Sequence, residues 1–280
     1  MKGKTGTIEF DLVIEPSRIK KNYWNDLWAY RELFLFLAWR DILVRYKQTV
    51  IGLAWSVLRP FLTMLVFTVI FGRLAKLPSG NVPYPILVFA AMLPWQFFST
   101  SFTDASNSLI GNSNMLTKIY FPRMIVPAST VIVNLVDFLI SFLILIGLMI
   151  WFHFLPPSTI LALPLFLIQS FLISMGAGFY VSAVNVKYRD FKYIVPFVVQ
   201  FGLLLSPVGF SSNVVPEKWR LLYSLNPMVG VIDGFRWSIT GDYNQIYLPG
   251  LLLSFGITIF LVVIGIWYFR KMERSFADLI

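Results

Sequence analysis

Long unbroken apolar runs alternate along this chain with short polar pieces. The runs lie at Trp55–Phe71, Tyr84–Phe102, Ile125–Phe152, Ile160–Val184, Tyr193–Phe210 and Tyr247–Phe269. A helix crosses hydrocarbon in about 20 residues, so the pattern predicts an all-α integral membrane protein with six transmembrane helices. The runs are continuous rather than alternating, which argues against a transmembrane β-barrel. Ahead of the first run, Leu35, Trp39, Ile42, Leu43, Tyr46 and Val50 recur at helical spacing, while Arg31, Asp41, Arg45 and Gln48 lie largely off that stripe. This predicts an amphipathic helix over 27–52 in the membrane interface, its polar face left to water or a partner. A tail over 1–26 precedes it, and the six-helix domain occupies 53–280.

Three polar pieces interrupt the spans. Residues 104–123 are too polar to span and too long for a simple turn; their Ser and Asn residues offer caps and suggest a short helix at Asn114–Tyr120. Residues 185–192 form a charged turn. Residues 211–244 join two short apolar pieces through Pro216, Pro227 and Gly241, and are expected to form two short outer helices that re-enter the membrane beside a cavity.

Composition sharpens this picture. Of 280 residues, 57% are hydrophobic and 13% charged, and the mean hydropathy is +0.72. Soluble domains carry about a quarter charged residues, so a soluble domain is excluded. The formal charge of +9 is read from its distribution. With six spans, eighteen of the twenty-three Lys and Arg residues fall on the side of the two termini. The positive-inside rule puts that side in the cytoplasm, so the charge is assigned to the membrane rather than to nucleic acid. The N-terminus has no apolar stretch behind its basic residues, and no cleaved signal peptide is expected. Cysteine is absent and histidine single, which argues against disulfide and metal chemistry.

Candidate chemistry is sparse. There is no GxxxxGK[ST] loop to cradle a phosphate. Asp104 and Asp190 fall on the cytoplasmic side without a DxD partner, so a membrane-embedded transferase lacks its acid and base. Asp137 lies mid-span with Asn134 one turn earlier. Intramembrane carboxylates are costly and functional by default, but no basic partner at its depth is evident in the sequence. A hydrogen bond to Asn134 or a neighbouring helix is the plain reading; a proton-coupled secondary transporter using Asp137 is the alternative. Phe67, Phe71, Phe97, Phe98, Phe197 and Phe201 fall inside spans. They pack helices, face lipid, or line a smooth path for sugar rings.

Five blocks then bear on function: RYKQTVIGLAWSVLRPFLTMLVFTVIFG (45–72), LPWQFFSTSF (93–102), NMLTKIYFPR (114–123), VKYRDFKYIVPF (186–197) and LNPMVGVIDGFRW (225–237). In this order and at these topological positions they resemble the type-2 ABC exporter permeases. The chain is most similar to the polysaccharide branch, which exports O-antigen, capsule-like glycans and teichoic acids. The resemblance runs from about Leu27 to the C-terminus. Ile51 stands where the family more often has leucine, and the first 25 residues match no block.

The resemblance implies a homodimeric permease carrying two ATP-binding cassette subunits on its cytosolic side and moving an undecaprenyl-linked glycan. ATP and magnesium would sit on the partner, with no cofactor and no hydrolytic activity on this chain. It implies an ATPase-coupling surface on the interface helix (Arg40, Asp41, Arg45), on the loop after the second span (Asn112, Asn114, Lys118, Tyr120, Arg123) and on the turn at Tyr188, Arg189 and Asp190. There Arg189 and Asp190 are expected to pair with each other or with the neighbouring helix, and charge-assisted contacts to pass motion into spans three to five. The family's outer helices map onto Trp219, Asn226, Pro227, Arg236 and Trp237. Export of drugs or small lipids is the nearest rival within the family.

Overall fold

The structure, a computed structural model, describes residues 23–47, 50–76, 82–188, 190–243 and 246–276, with the backbone alone over 50–57. Arg189 and most of the predicted tail lie outside the described residues.

All regular elements among the described residues are helices. In chain order they are α1 (Tyr23–Ala29), α2 (Arg31–Lys47), α3 (Val50–Phe67), α4 (Tyr84–Gly111), α5 (Ser113–Leu116), α6 (Ile125–Trp151), α7 (Leu163–Lys187), α8 (Phe191–Leu205), α9 (Glu217–Tyr223), α10 (Pro227–Thr240) and α11 (Leu248–Met272). A π-helical stretch, Thr68–Leu74, continues α3. Among the described residues, α4, α6, α7 and α11, the last two with their 3₁₀ extensions, are long and apolar enough to cross a membrane. The remaining two predicted runs correspond to α3, of 18 residues, and the shorter α8, of 15.

Helix α4 is the hub. Its apolar stretch is 72% buried, against 22% for that of α11, and it packs against α6, α7, α10, α8 and α3. The predicted polar loop begins inside it. Ser99, Thr100, Thr103, Ser106, Asn107, Ser108 and Asn112 all donate side-chain hydrogen bonds to carbonyls three or four residues back. The helix therefore absorbs its own polarity and runs to Gly111. The helix expected at Asn114–Tyr120 shrinks to the single turn α5.

Helix α7 lies between α4 and α11, and the contact with α11 is closest where two glycines meet. A Cβ on Gly265 would stand 2.1 Å from the Gly176 carbonyl oxygen, whereas one on Gly256 would meet nothing within 4 Å. Small residues let helix backbones approach in this way. Gly265→Ala should therefore lose about 1–3 kcal/mol to overpacking. Gly256→Ala should be neutral, or gain up to about 1 kcal/mol of helix propensity. Thermal unfolding of the detergent-solubilised variants checks the pair, and equal melting temperatures would refute the backbone contact.

Candidate functional site

A polar cluster joins the interface helix to the core. Arg45 sits near the end of α2, which packs along α6 and also touches α3. Its Nη1 donates to Asn134 Oδ1 at 2.8 Å and to Asp137 Oδ2 at 2.5 Å, and its Nη2 donates to Asp104 Oδ2 at 3.0 Å. Asn134 Nδ2 donates to the same Asp104 oxygen at 3.0 Å, and the Tyr46 hydroxyl donates to Asp137 Oδ1. One planar guanidinium thus forks between carboxylates on α4 and α6, a geometry suited to arginine and not to lysine. Burial works against the Arg45 charge, and Asp137 and Asp104 more than offset it, so its pKa is pushed up. The Tyr46 phenol is raised by burial and then by Asp137.

These side chains line one end of a cavity of about 320 Å³ whose walls include Arg59, Gln96, Phe97, Thr100 and Phe138. Two expectations are corrected here. Asp137 does have a basic partner, contributed by the helix outside the spans. Arg45 is turned into the bundle rather than offered on an outer coupling face, because two carboxylates at that depth demand a cation.

The predicted coupling residues of the interface helix and of the loop after α4 otherwise separate into two groups. Arg40 pairs with Asp41 at 2.7 Å and reaches Asn112 Oδ1 at the end of α4 at 3.3 Å. Asn114, Lys118 and Tyr120 are exposed just beyond, and Ile119 beside them is 59% exposed. Arg123, by contrast, turns inward. Its backbone N–H donates to Glu273 Oε1 at 2.7 Å and its Nη1 to the Glu273 carbonyl at 3.1 Å. Its guanidinium also lies 5.9 Å from the centre of the Phe276 ring. Arg123 therefore ties the loop to the end of α11, the last long helix, rather than to spans three to five. Glu273 carried no sequence signal for this role: its partner lies 150 positions away.

Tyr188 and Asp190 form the turn between α7 and α8, both exposed. The expected partner Arg189 lies outside the described residues. Asp190 precedes α8 without a side-chain cap hydrogen bond. One helical turn earlier, buried Asn185 donates to the Ser106 carbonyl at 2.9 Å and to Asn107 Oδ1 at 3.3 Å. The turn is thus pinned to the polar end of α4.

The six candidate aromatics do not form one surface. Phe97 is 2% exposed and packs edge-on against Phe138, which makes it a core residue on the cavity wall rather than part of an open path. Phe98 stacks on Phe102. Phe67 pairs with Phe71, which covers the backbone of Gly209. Only Phe197 and Phe201 of the six are exposed, with ring centres 4.2 Å apart.

At the opposite end of the bundle, α10 is inserted among α4, α7 and α11. Asn226 caps it, accepting from the Met228 N–H at 3.1 Å, and Pro227 takes the first helical position, where its missing N–H costs nothing. Arg236 is buried and donates to three backbone carbonyls: Leu87 at 3.4 Å, Phe210 at 2.5 Å and Val208 at 2.8 Å. Trp237 packs edge-on against Phe166. Trp219 on α9 is 52% exposed.

Comparison with known proteins bears on this arrangement. The family model described as "ABC-2 type transporter" matches residues 32–240, from the start of α2 to the end of α10. The chain is 26% identical over 251 residues to the O-antigen export system permease protein RfbA of Klebsiella pneumoniae, covering 89% of this chain and 95% of that one. It is 26% identical over 257 residues to the RfbA protein of Myxococcus xanthus, covering 91% and 97%. It is 23% identical over 248 residues to the polysialic acid transport protein KpsM of Escherichia coli, covering 86% and 93%. With a match that takes in the interface helix, the polar cluster and the buried arginine of α10, this chain belongs to the ABC-2 type transporter family.

Proposed function

We propose that the chain is the transmembrane permease subunit of an ATP-driven exporter that moves a lipid-linked polysaccharide, an O-antigen-like glycan or a teichoic acid, across the bacterial inner membrane. The permease works as a homodimer with two ATP-binding cassette subunits, which hydrolyse the ATP. Helices α3, α4, α6, α7, α8 and α11 are its six spans, and both termini are cytoplasmic. Near-complete coverage of relatives named for O-antigen and polysialic acid transport supports this reading. An undecaprenyl carrier is the lipid anchor in this scheme.

The observation that carries the mechanism is the forked Arg45. A permease driven by a separate ATPase needs a rigid connection from its cytosolic surface to its spans, and discrete packed elements transmit such shifts. Helix α2 presents Arg40 and Asp41 beside Asn112 and, about one turn on, locks onto α4 and α6 through Arg45. A push on α2 therefore reaches two spans without an intervening loop. The exposed Lys118, Ile119 and Tyr120 continue the same docking surface.

The proton-coupled alternative fares worse for a specific reason. Its carrier, Asp137, has both carboxylate oxygens engaged by Arg45 and Tyr46, so it already serves to hold α2 on α6. Asp137→Asn does not discriminate between the two classes, since it breaks a structural pair in either. Affinity purification of the tagged chain from native membranes, followed by reconstitution, does discriminate. An ATP-binding cassette protein should accompany it, and glycan transport should require ATP and survive a collapsed proton gradient. Transport by the chain alone, driven by that gradient, would overturn the reading.

A further inference from the structure

The C-terminal turns of α11 carry a cationic groove that the transport cycle described above leaves without a role. It is lined by Val263, Ile266, Trp267, Arg270, Lys271 and Arg274. Three of the six carry positive charge and none is acidic. The nearest acid in sequence, Glu273, is not among them; its carboxylate accepts the Arg123 N–H and, with Asp26, lines an adjoining pocket that Arg270 and Arg274 share. The inward face of the same helix is closed by buried Gly265 and Phe269. Val263 and Trp267 point outward instead, 62% and 58% exposed.

The aromatics arrange the cations. Lys271 Nζ stands 5.2 Å from the Trp267 ring centre, and the Arg270 guanidinium lies 4.7 Å over Tyr23 of α1. Stacking holds a guanidinium by its face and leaves its in-plane N–H donors free for an anion. An apolar floor of Val263, Ile266 and Trp267 runs from these donors along the helix, as an acyl chain would. Among the described residues, Lys271 and Arg274 make no ion pair with any carboxylate.

We propose that this groove is a binding site for an anionic phospholipid of the bilayer, with the phosphate held by Arg270, Lys271 and Arg274 and an acyl chain laid on Val263 and Trp267. Basic pockets at the cytoplasmic ends of membrane helices suit such headgroups. A bound lipid would pin the end of α11, and with it the loop that Arg123 fastens to Glu273. Its assignment to the cytosolic leaflet rests on the topology proposed above, but the binding itself does not.

Native mass spectrometry of the purified protein in detergent tests it, with phosphatidylglycerol and phosphatidylethanolamine titrated separately. The wild type should prefer phosphatidylglycerol. K271Q/R274Q should weaken that binding about thirtyfold, the effect of two charges at about 1 kcal/mol each, and weaken phosphatidylethanolamine binding less, because its ammonium offsets the phosphate charge. K118Q/K192Q, which removes two exposed cations at the same end, should bind like the wild type. The proposal is overturned if the preference survives K271Q/R274Q, or if K118Q/K192Q reduces it equally. Inorganic phosphate binding as tightly as the lipid would also overturn it, because the apolar floor would then contribute nothing. Because no ATP, glycan or partner is present, a failure here leaves the export reading untouched, and a failure of that reading leaves this result standing.

Discussion

Arg45→Met is expected to uncouple ATP hydrolysis from export and to lower stability by about 2 kcal/mol. Breaking a buried ion pair costs about 3–5 kcal/mol, and exposed pairs are worth about 0–1 kcal/mol. The Arg45 and Asp104 side chains are each 37% exposed and Asp137 28%, so the expectation falls between. The loss arises from what is left behind: Asp104 and Asp137 face one cavity, with Asn134 as the remaining donor to Asp104 and the Tyr46 hydroxyl as the remaining donor to Asp137. Arg45→Lys should recover only part, since a point charge cannot fork between α4 and α6.

Stability alone would not establish coupling, so the informative protein is R45M/D104N/D137N. With every charge of the cluster removed, no unpaired ion remains, and the melting temperature should return near the wild-type value. If α2 drives the spans through this cluster, that variant should still bind its ATPase and hydrolyse ATP while exporting at least tenfold less glycan. Wild-type export by the neutral triple variant would reduce the cluster to a packing feature. Thermal unfolding, ATPase rate and glycan export, measured on the same preparations, separate these outcomes.

The two ends of the bundle differ in how much of them can be read from sequence. The apolar runs locate α4, α6, α7 and α11, because about 20 continuous apolar residues have few other destinations. Proline and glycine likewise announce α9 and α10 within 211–244. Helix ends were less legible. The second run ends at Phe102 by polarity, yet α4 reaches Gly111, because Ser, Thr and Asn side chains satisfy themselves on its own carbonyls. Orientation within a helix was less legible still. Arg45 looks like a surface cation in sequence. Its partners lie 59 and 92 positions away, and no local period records which side of α2 meets them. The i, i+3 spacing of Asn134 and Asp137 was the available clue, since it places both on one face of α6. The aromatics failed for a related reason: adjacent Phe97 and Phe98 are equally apolar, and only packing separates a core ring from a half-buried one.

The second large effect is expected at Arg236, where the sequence shows only an arginine in an apolar piece. Arg236→Met should cost about 3–5 kcal/mol or prevent folding, the range for orphaning a buried charge network. Its three donors serve carbonyls of Leu87, Val208 and Phe210, and the Val208 and Phe210 carbonyls, which lie outside regular helix, would lose this donor where water is scarce. Asp233, one turn earlier on α10 and 7% exposed, would also lose its nearest compensating charge. Burial, partly offset by Ser212, Arg236 and Arg220, already pushes the Asp233 carboxyl up to about 7.

The sign of the pH effect follows. The folded state holds this proton more tightly than the unfolded state does. The contribution of Asp233 is therefore fully present below the ordinary carboxylate value of 3.8 and is lost as pH rises through about 7. At about 1.4 kcal/mol for each pH unit, the loss is on the order of 4 kcal/mol. Asp233→Asn should flatten the fall in melting temperature between pH 5 and pH 8. Arg236→Lys, where it folds, should extend the fall to higher pH, because a flexible ammonium compensates the carboxylate less well. Wild-type pH profiles for both variants would show that Asp233 titrates in contact with water, and that Arg236 holds α10 through its carbonyl contacts alone.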